Sequence, residues 1–123
     1  MKNFRELIVW QKAHQLVLEI YPLTQLFPAD ERFGLVSQMR RAAVSVPANI
    51  VEGHKRKSRR EFAHFTSIAE GSLEELKYYL HLSRDLGYVT EPRMIGVFSL
   101  AEEVGRVLHG LKRHLNKEID NAP

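Results

Sequence analysis

Apolar residues recur at three- and four-residue steps along four stretches of the chain, and no stretch alternates with the two-residue period of a half-buried strand. In the first, Leu7, Trp10, Ala13, Val17, Ile20, Tyr21 and Thr24 form the repeating positions. Phe27-Pro28-Ala29-Asp30 closes it, because proline disfavours helical backbone in the residue before it. A second helix is predicted from about residue 31 to residue 53, with Val36, Met39, Ala43, Val46 and Ile50 on its apolar side. Ser58-Arg59-Arg60-Glu61 has capping-box spacing and marks the start of a third. Phe62, Phe65, Ala69, Leu73, Leu76 and Leu80 then make a long stripe that ends at Leu86-Gly87, where glycine suits the left-handed position after a helix. Thr90 and Pro92 suit the opening of the fourth. There Val97, Ala101, Val104, Leu108, Leu111 and Leu115 alternate four- and three-residue steps, a bundle seam.

The connections between these stretches are short, so consecutive helices should pack antiparallel. The third, at about 29 residues, would be roughly 43 Å long at 1.5 Å per residue. The pattern predicts an all-α fold, an antiparallel up-down-up-down four-helix bundle. It fills a single domain over residues 1–123, with residues 118–123 as a frayed tail. A chain of 123 residues is long enough for one continuous core.

Composition narrows the function classes. There is no cysteine, hence no disulfide framework, thiolate metal site or cysteine nucleophile. No apolar run approaches the roughly 18 residues of a membrane span. The N-terminal residues lack the long apolar stretch of a secretory leader, which points to a cytoplasmic protein with no membrane partner. The net charge is only +3, yet five of the 18 cations, Lys55, Arg56, Lys57, Arg59 and Arg60, fall within six positions. The other 13 face 15 acids, so attraction to polyanions should concentrate at this one run.

Residues 38–53, QMRRAAVSVPANIVEG, lead directly into that run. On a helix, Gln38, Arg41, Ser45, Asn49 and Glu52 share one side, nearly opposite Met39, Ala43, Val46 and Ile50. Ala42, Ala48 and Ser45 keep the polar row small, which suits close packing by another element. Pro47 cannot donate to the Ala43 carbonyl and should kink or split the helix. The freed carbonyl needs a partner, such as the side chain of Ser45 or Asn49 or a water. The bend either wraps a long helix around the core or shapes a subunit contact or ligand groove.

These residues carry a resemblance. The chain is similar to the family of 23S rRNA intervening-sequence proteins, which includes the accessory proteins of diversity-generating retroelements. The likeness rests on Leu7-Ile8-Val9-Trp10-Gln11 with Ala13, on Phe27-Pro28 followed by residues 31–35 (ERFGL), and on residues 38–53. Residues 68–76 (IAEGSLEEL) and Leu86-Gly87-Tyr88 extend it over nearly the whole length. The resemblance implies a compact bundle assembling into a ring, commonly a pentamer. In the retroelement branch such a ring, with a basic surface, works with a reverse transcriptase and nucleic acid. In the intervening-sequence branch the molecular activity is unassigned.

Among candidate sites the basic run ranks first. At a bundle end its side chains can reach phosphates without opening the core, giving affinity and salt dependence but little sequence choice. The competing reading is a solvated loop. Arg59 and Arg60 stand near a helix N-terminus, where the macrodipole disfavours cations, so their placement is locally costly. Arg40 and Arg41 suit an ion-pair network, between helices or between subunits. If the second and third helices mirror about residue 56, Arg41 lies near Gly71, with Glu70, Glu74 and Glu75 about one turn away. Arg40, Arg41, Ser45, Asn49, Glu52, Glu70 and Glu75 are therefore grouped as a polar network. Trp10, the only tryptophan, fits core or subunit packing better than base stacking.

Catalytic constellations are wanting. A two-metal bundle site needs paired Glu-x-x-His motifs, and Glu61-Phe62-Ala63-His64 is a single copy. No nucleophile elbow, P-loop or dinucleotide fingerprint is present. The sequence thus predicts a non-catalytic homo-oligomer without a cofactor that binds RNA or DNA phosphates at the basic run. The alternative is a protein-interaction scaffold with no nucleic-acid binding.

Overall fold

The amphipathic stripes fold as four α-helices, α1 (Ile8–Thr24), α2 (Leu35–Lys55), α3 (Arg59–Asp85) and α4 (Glu91–Asp120). The structure is a computed structural model and describes residues 3–123. Short 3₁₀ turns, Phe4–Glu6 and Ala29–Glu31, precede α1 and α2. Each helix packs on its two neighbours in a closed square, α1 on α2, α2 on α3, α3 on α4 and α4 on α1.

The direction of each helix follows from which residues meet. Between α2 and α3 the pairs are Met39 with Ser83, Ser45 with Ser72, and Gly53 beside Phe62. Between α3 and α4 they are Lys77 with Glu102, Glu70 with Lys112, and Arg59 with Glu118. One number rises as the other falls in both series, so both pairs are antiparallel. Leu7 lies against the Leu115 cluster while Lys12 meets Glu103, which sets α1 antiparallel to α4 and completes the up-down-up-down order.

A main core fills most of the bundle, and a smaller cluster of Phe62, Ala63 and Leu115 closes the end beside the α2–α3 turn. Leu16, Ile20, Met39, Val46, Ile50, Leu73, Leu76, Leu80, Val104 and Leu108 are essentially inaccessible. Each such aliphatic side chain contributes about 1.5–3 kcal/mol by leaving water. In α1 the buried row is Val9, Ala13, Leu16, Ile20, Leu23 and Thr24. Trp10 and Val17 therefore border the core, and Tyr21 is exposed. Ala13, Ile20 and Thr24 are buried as the spacing predicts, while the rest of the stripe lies about one position away from it.

The helix ends also differ from the sequence reading in informative ways. α2 begins at Leu35, four residues later than predicted, because Glu31 caps the helix from outside. Its Oε1 accepts the Leu35 N–H at 3.2 Å, and its Oε2 accepts the Tyr88 hydroxyl at 2.9 Å. That hydrogen bond is the main reason the Tyr88 pKa is raised, followed by burial and the Glu31 charge. α2 is not split by Pro47, whose ring is buried within a continuous helix. Asn49 Nδ2 donates to the Ser45 carbonyl at 2.7 Å, two residues beyond the Ala43 carbonyl that Pro47 leaves free, so the Asn49 side chain does not partner that carbonyl as expected.

After α3, Gly87 takes φ +77° and the Tyr88 N–H reaches back to the Ser83 carbonyl at 2.9 Å, closing the helix as its sequence predicts. α4 continues to Asp120, beyond the point where fraying was expected. Ile119 packs on the Phe62, Ala63 and Leu115 cluster, and Glu118 pairs with Arg59 at 2.7 Å. Between the first third of α1 and the middle of α4, Lys12 Nζ meets Glu103 Oε1 at 2.6 Å. The hydrogen bond from Lys12, and then its charge, lower the Glu103 pKa from the ordinary 4.5. Among the described residues no helix is long and apolar enough to cross a membrane.

Candidate functional site

The α2–α3 junction is a three-residue link, and backbone chemistry fixes both sides of it. α2 stops at Lys55 because Arg56 is extended (φ −69°, ψ 153°), its N–H turned back to the Gly53 carbonyl at 3.1 Å. α3 starts where Ser58 Oγ accepts the Glu61 N–H at 3.1 Å. Gly53 lets the helices meet closely just before the turn. A Cβ there would stand 2.8 Å from Phe62 Cδ1 and 2.9 Å from Phe65 Cβ. The junction is therefore a rigid corner that carries charge.

All five cations of the run are exposed, but they are not equivalent. Arg56 is held by Glu52 at 2.6 Å and lies over the Phe65 ring, 5.1 Å from its centroid. Arg59 is held by Glu118. Lys55, Lys57 and Arg60 have no carboxylate partner among the described residues. Glu52, Lys55, Arg56, Lys57 and Glu61 line a shallow depression of about 410 Å³. Three positive groups thus remain available to an anion, beside two arginines already oriented by carboxylates. His54, just before the turn, packs edge-on to Phe62 and buries an Nε2 without a hydrogen-bond partner.

The second group of candidate residues does not gather into one network within the chain. Arg40 turns to α1 instead of α3. Its Nε donates to Thr24 Oγ1 at 2.9 Å, its Nη2 donates to the Tyr21 carbonyl at 3.3 Å, and its guanidinium lies 4.5 Å from the centre of the Tyr21 ring. A cation is favoured there by the free carbonyls at the C-terminus of α1. Ser45 and Ser72 join α2 to α3 through a 2.8 Å hydrogen bond, and Asn49 Nδ2 adds a 3.0 Å bond to Ser45 Oγ. Their pairing centres the hairpin between residues 58 and 59, so Arg41 sits farther along α3 than a mirror at residue 56 implies.

The acids expected opposite Arg41 have other partners. Glu70 pairs with Lys112 and Glu74 with Lys77, both at 3.2 Å. Arg41 and Glu75 are exposed and form no ion pair among the described residues. They belong to an outward face of α2 and α3 that also carries Val44, Ala48, Ile68 and Gly71, all exposed. A Cβ at Gly71 would meet nothing within 4 Å, so no contact inside the chain calls for glycine there.

Trp10 stacks on His14 at 4.8 Å and meets Phe4 edge-on at 5.1 Å, half-buried on the side of α1. Glu61 and His64 are both exposed. No group of three or more metal-ligating side chains occurs among the described residues. A groove of about 390 Å³ between α3 and α4 is lined by Glu70, Glu74, Lys77, Glu102, Arg106 and His109 with Leu73 and Gly105. Lys77 spans it, bonded to Glu74 at 3.2 Å and Glu102 at 3.4 Å.

Comparison with known proteins agrees with this architecture. A family model described as 23S rRNA-intervening sequence protein matches residues 5–110. Among solved structures, a protein with unknown function from the S23 ribosomal protein family of Bacteroides thetaiotaomicron VPI-5482 superposes with a TM-score of 0.79 at 24% identity. The match covers 85% of this chain and 98% of that one. At that identity the likeness is one of fold. No curated protein matches the chain.

Proposed function

The chain belongs to the 23S rRNA-intervening sequence protein family, and from that premise we propose that it is a non-catalytic, homo-oligomeric accessory protein that holds RNA or DNA phosphates at the α2–α3 junction. The observation that carries this reading is the exposure of Lys55, Lys57 and Arg60 without carboxylate partners on a rigid corner. Phosphate contacts of this kind give affinity and steep salt dependence without selecting sequence. The cations at this bundle end are all exposed, so a long polyanion can reach them without opening the core. Within the α3–α4 groove Glu70, Glu74, Lys77 and Glu102 are tied up in ion pairs, which favours a structural over a catalytic role for them.

Self-assembly is supported by the α2–α3 outward face. Val44, Ala48, Ile68 and Gly71 offer a small, partly apolar surface, with an unpaired Arg41 on one helix and an unpaired Glu75 on the other. Opposite charges on adjoining helices suit a head-to-tail contact, the kind that closes into rings. The family resemblance sets the expected number of copies at five. A ring would repeat the basic corner once per subunit and raise avidity by multivalency.

A second reading has one observation in its favour. Phe33 is 87% exposed, and Leu26 and Leu86 are also exposed. Exposed apolar side chains of this size suit a protein partner, as a scaffold would require. Purification separates the two readings. The nucleic-acid binder should carry 260 nm absorbance that high salt strips off, and the variant with Lys55, Arg56, Lys57, Arg59 and Arg60 all changed to alanine should purify without it. A wild-type protein that purifies free of nucleic acid at low salt, yet retains a protein partner in high salt, would favour the scaffold.

A further inference from the structure

The outward face of α4 holds a second set of free cations. Arg106, Gly110, Arg113 and Lys117 point within roughly 40° of one direction at 100° per residue, about 180° from the core positions Val97, Ala101, Val104, Leu108 and Leu115. All four are exposed. Arg106, Arg113 and Lys117 form no ion pair among the described residues, although the Arg106 charge acts with Lys12 to lower the Glu103 pKa, whereas Lys112, on the flank, is taken by Glu70. Gly110, Arg113, His114 and Lys117 line a shallow depression of about 250 Å³. Gly110 has open space where its Cβ would be, so the backbone lies bare between Arg106 and Arg113.

An ordinary solvated helix face intersperses acids with bases at three- and four-residue steps. Residues 104–117 contain no acid at all. Nor does the helix macrodipole account for the row, because its effect is confined to the last turn, which contains only Lys117. The row also runs into the junction. Glu118, next to Lys117, pairs with Arg59, and Ser58, Arg59, Arg60, Glu118 and Ile119 line one continuous depression at the bundle end.

Resting on the phosphate-binding reading of the junction, we infer that the Arg106–Arg113–Lys117 row is a second arm of the same interface, a track that holds a nucleic-acid backbone along α4. The row spans about 16 Å at 1.5 Å per residue. That length matches about five nucleotides of one strand at 3.4 Å each. The ligand is therefore a continuous run of nucleic acid that passes over the corner and along the helix, held by phosphates and not by base edges. The bare backbone at Gly110 lets a strand lie close between the flanking arginines.

The test is a set of salt titrations with labelled RNA and DNA duplexes, using wild type, a junction variant (Lys55→Ala, Lys57→Ala, Arg60→Ala) and a row variant (Arg106→Ala, Arg113→Ala, Lys117→Ala). Six free cations predict a log–log salt slope near −5, or about a 10³-fold affinity loss between 50 and 200 mM salt. Each variant should lower the slope by about 2.7, leaving a loss of about 40-fold over the same range. A row variant with the wild-type slope overturns the inference and leaves the junction reading intact if the junction variant falls. The converse pattern overturns the junction reading and keeps the row. Two unchanged variants, or binding to anionic vesicles and not to nucleic acid, overturn both. A control with Arg32→Ala and Arg93→Ala, away from the track, should keep the slope, and an equal fall there would reduce the effect to net charge. Arg113→Glu alone should weaken binding more than Arg113→Ala, with unchanged circular dichroism.

Discussion

Replacing Gly53 with alanine tests the close approach that shapes the basic corner. The new methyl would lie 2.8 Å from Phe62 Cδ1 and 2.9 Å from Phe65 Cβ, distances that real Cβ atoms do not show. Phe62 could swing its ring, but Phe65 Cβ is fixed to the backbone of α3, so relief requires the helices to separate. Overpacking of this kind costs about 1–3 kcal/mol. Alanine returns about 1 kcal/mol of helix propensity. Because one obstacle is a backbone-anchored carbon, the net loss should fall in the upper part of the difference, about 1–2 kcal/mol. For a domain of this size that is a fall in Tm of about 3–10 °C. The matched control is Gly96→Ala, at an exposed α4 position where a Cβ meets nothing within 4 Å. It should gain up to about 1 kcal/mol from propensity alone. Thermal unfolding followed by circular dichroism reads both. If Gly53→Ala is as stabilising as Gly96→Ala, the helices are not in contact at the corner and the reasoning fails.

Three further outcomes follow from the geometry. Ser45→Ala and Ser72→Ala should each cost about 0.5–1.5 kcal/mol, and the double variant less than their sum, because the two hydroxyls share one bond; additive losses in denaturant unfolding would refute the bond. Glu103 has a lowered pKa in the folded state, so its pairing with Lys12 stabilises fully above 4.5 and is lost as pH falls through the lower folded value. Glu103→Gln should therefore flatten the acid limb of a Tm-versus-pH profile, and an unchanged limb would count against the pair. Ala48→Lys tests the proposed subunit contact: it should lower the mass read by light scattering to that of a monomer without loss of helicity, and a mass equal to that of the wild type would move the contact elsewhere.

Much of the fold was legible because four stripes and their capping residues agree with one another. Ser58 and Gly87 mark helix ends that the structure reproduces. What sequence periodicity missed has physical causes. Glu31 reads as a good first residue of a helix, yet its carboxylate serves as an outside cap and a tether for Tyr88. Arg40 and Arg41 are adjacent and look interchangeable, but a helix turns them about 100° apart, one toward α1 and one to solvent. Pro22 passes within α1 as Pro47 does within α2, so proline alone did not mark a helix boundary.

The junction cations were evident as a run, while their division into two bound and three free depends on Glu52 and on Glu118, a residue distant in sequence. The α4 row escaped notice because its cations are spread over three turns and the net charge outside the junction is negative. The signal that would have found it is the acid-free span of residues 104–117.

Whether this bundle holds nucleic acid by its phosphates is decided by titrating wild-type protein into labelled RNA and DNA near 50 mM salt. Phosphate contact gives saturable binding that weakens linearly in log–log form as salt rises. No binding at that ionic strength, where phosphate contacts are strongest, would contradict it.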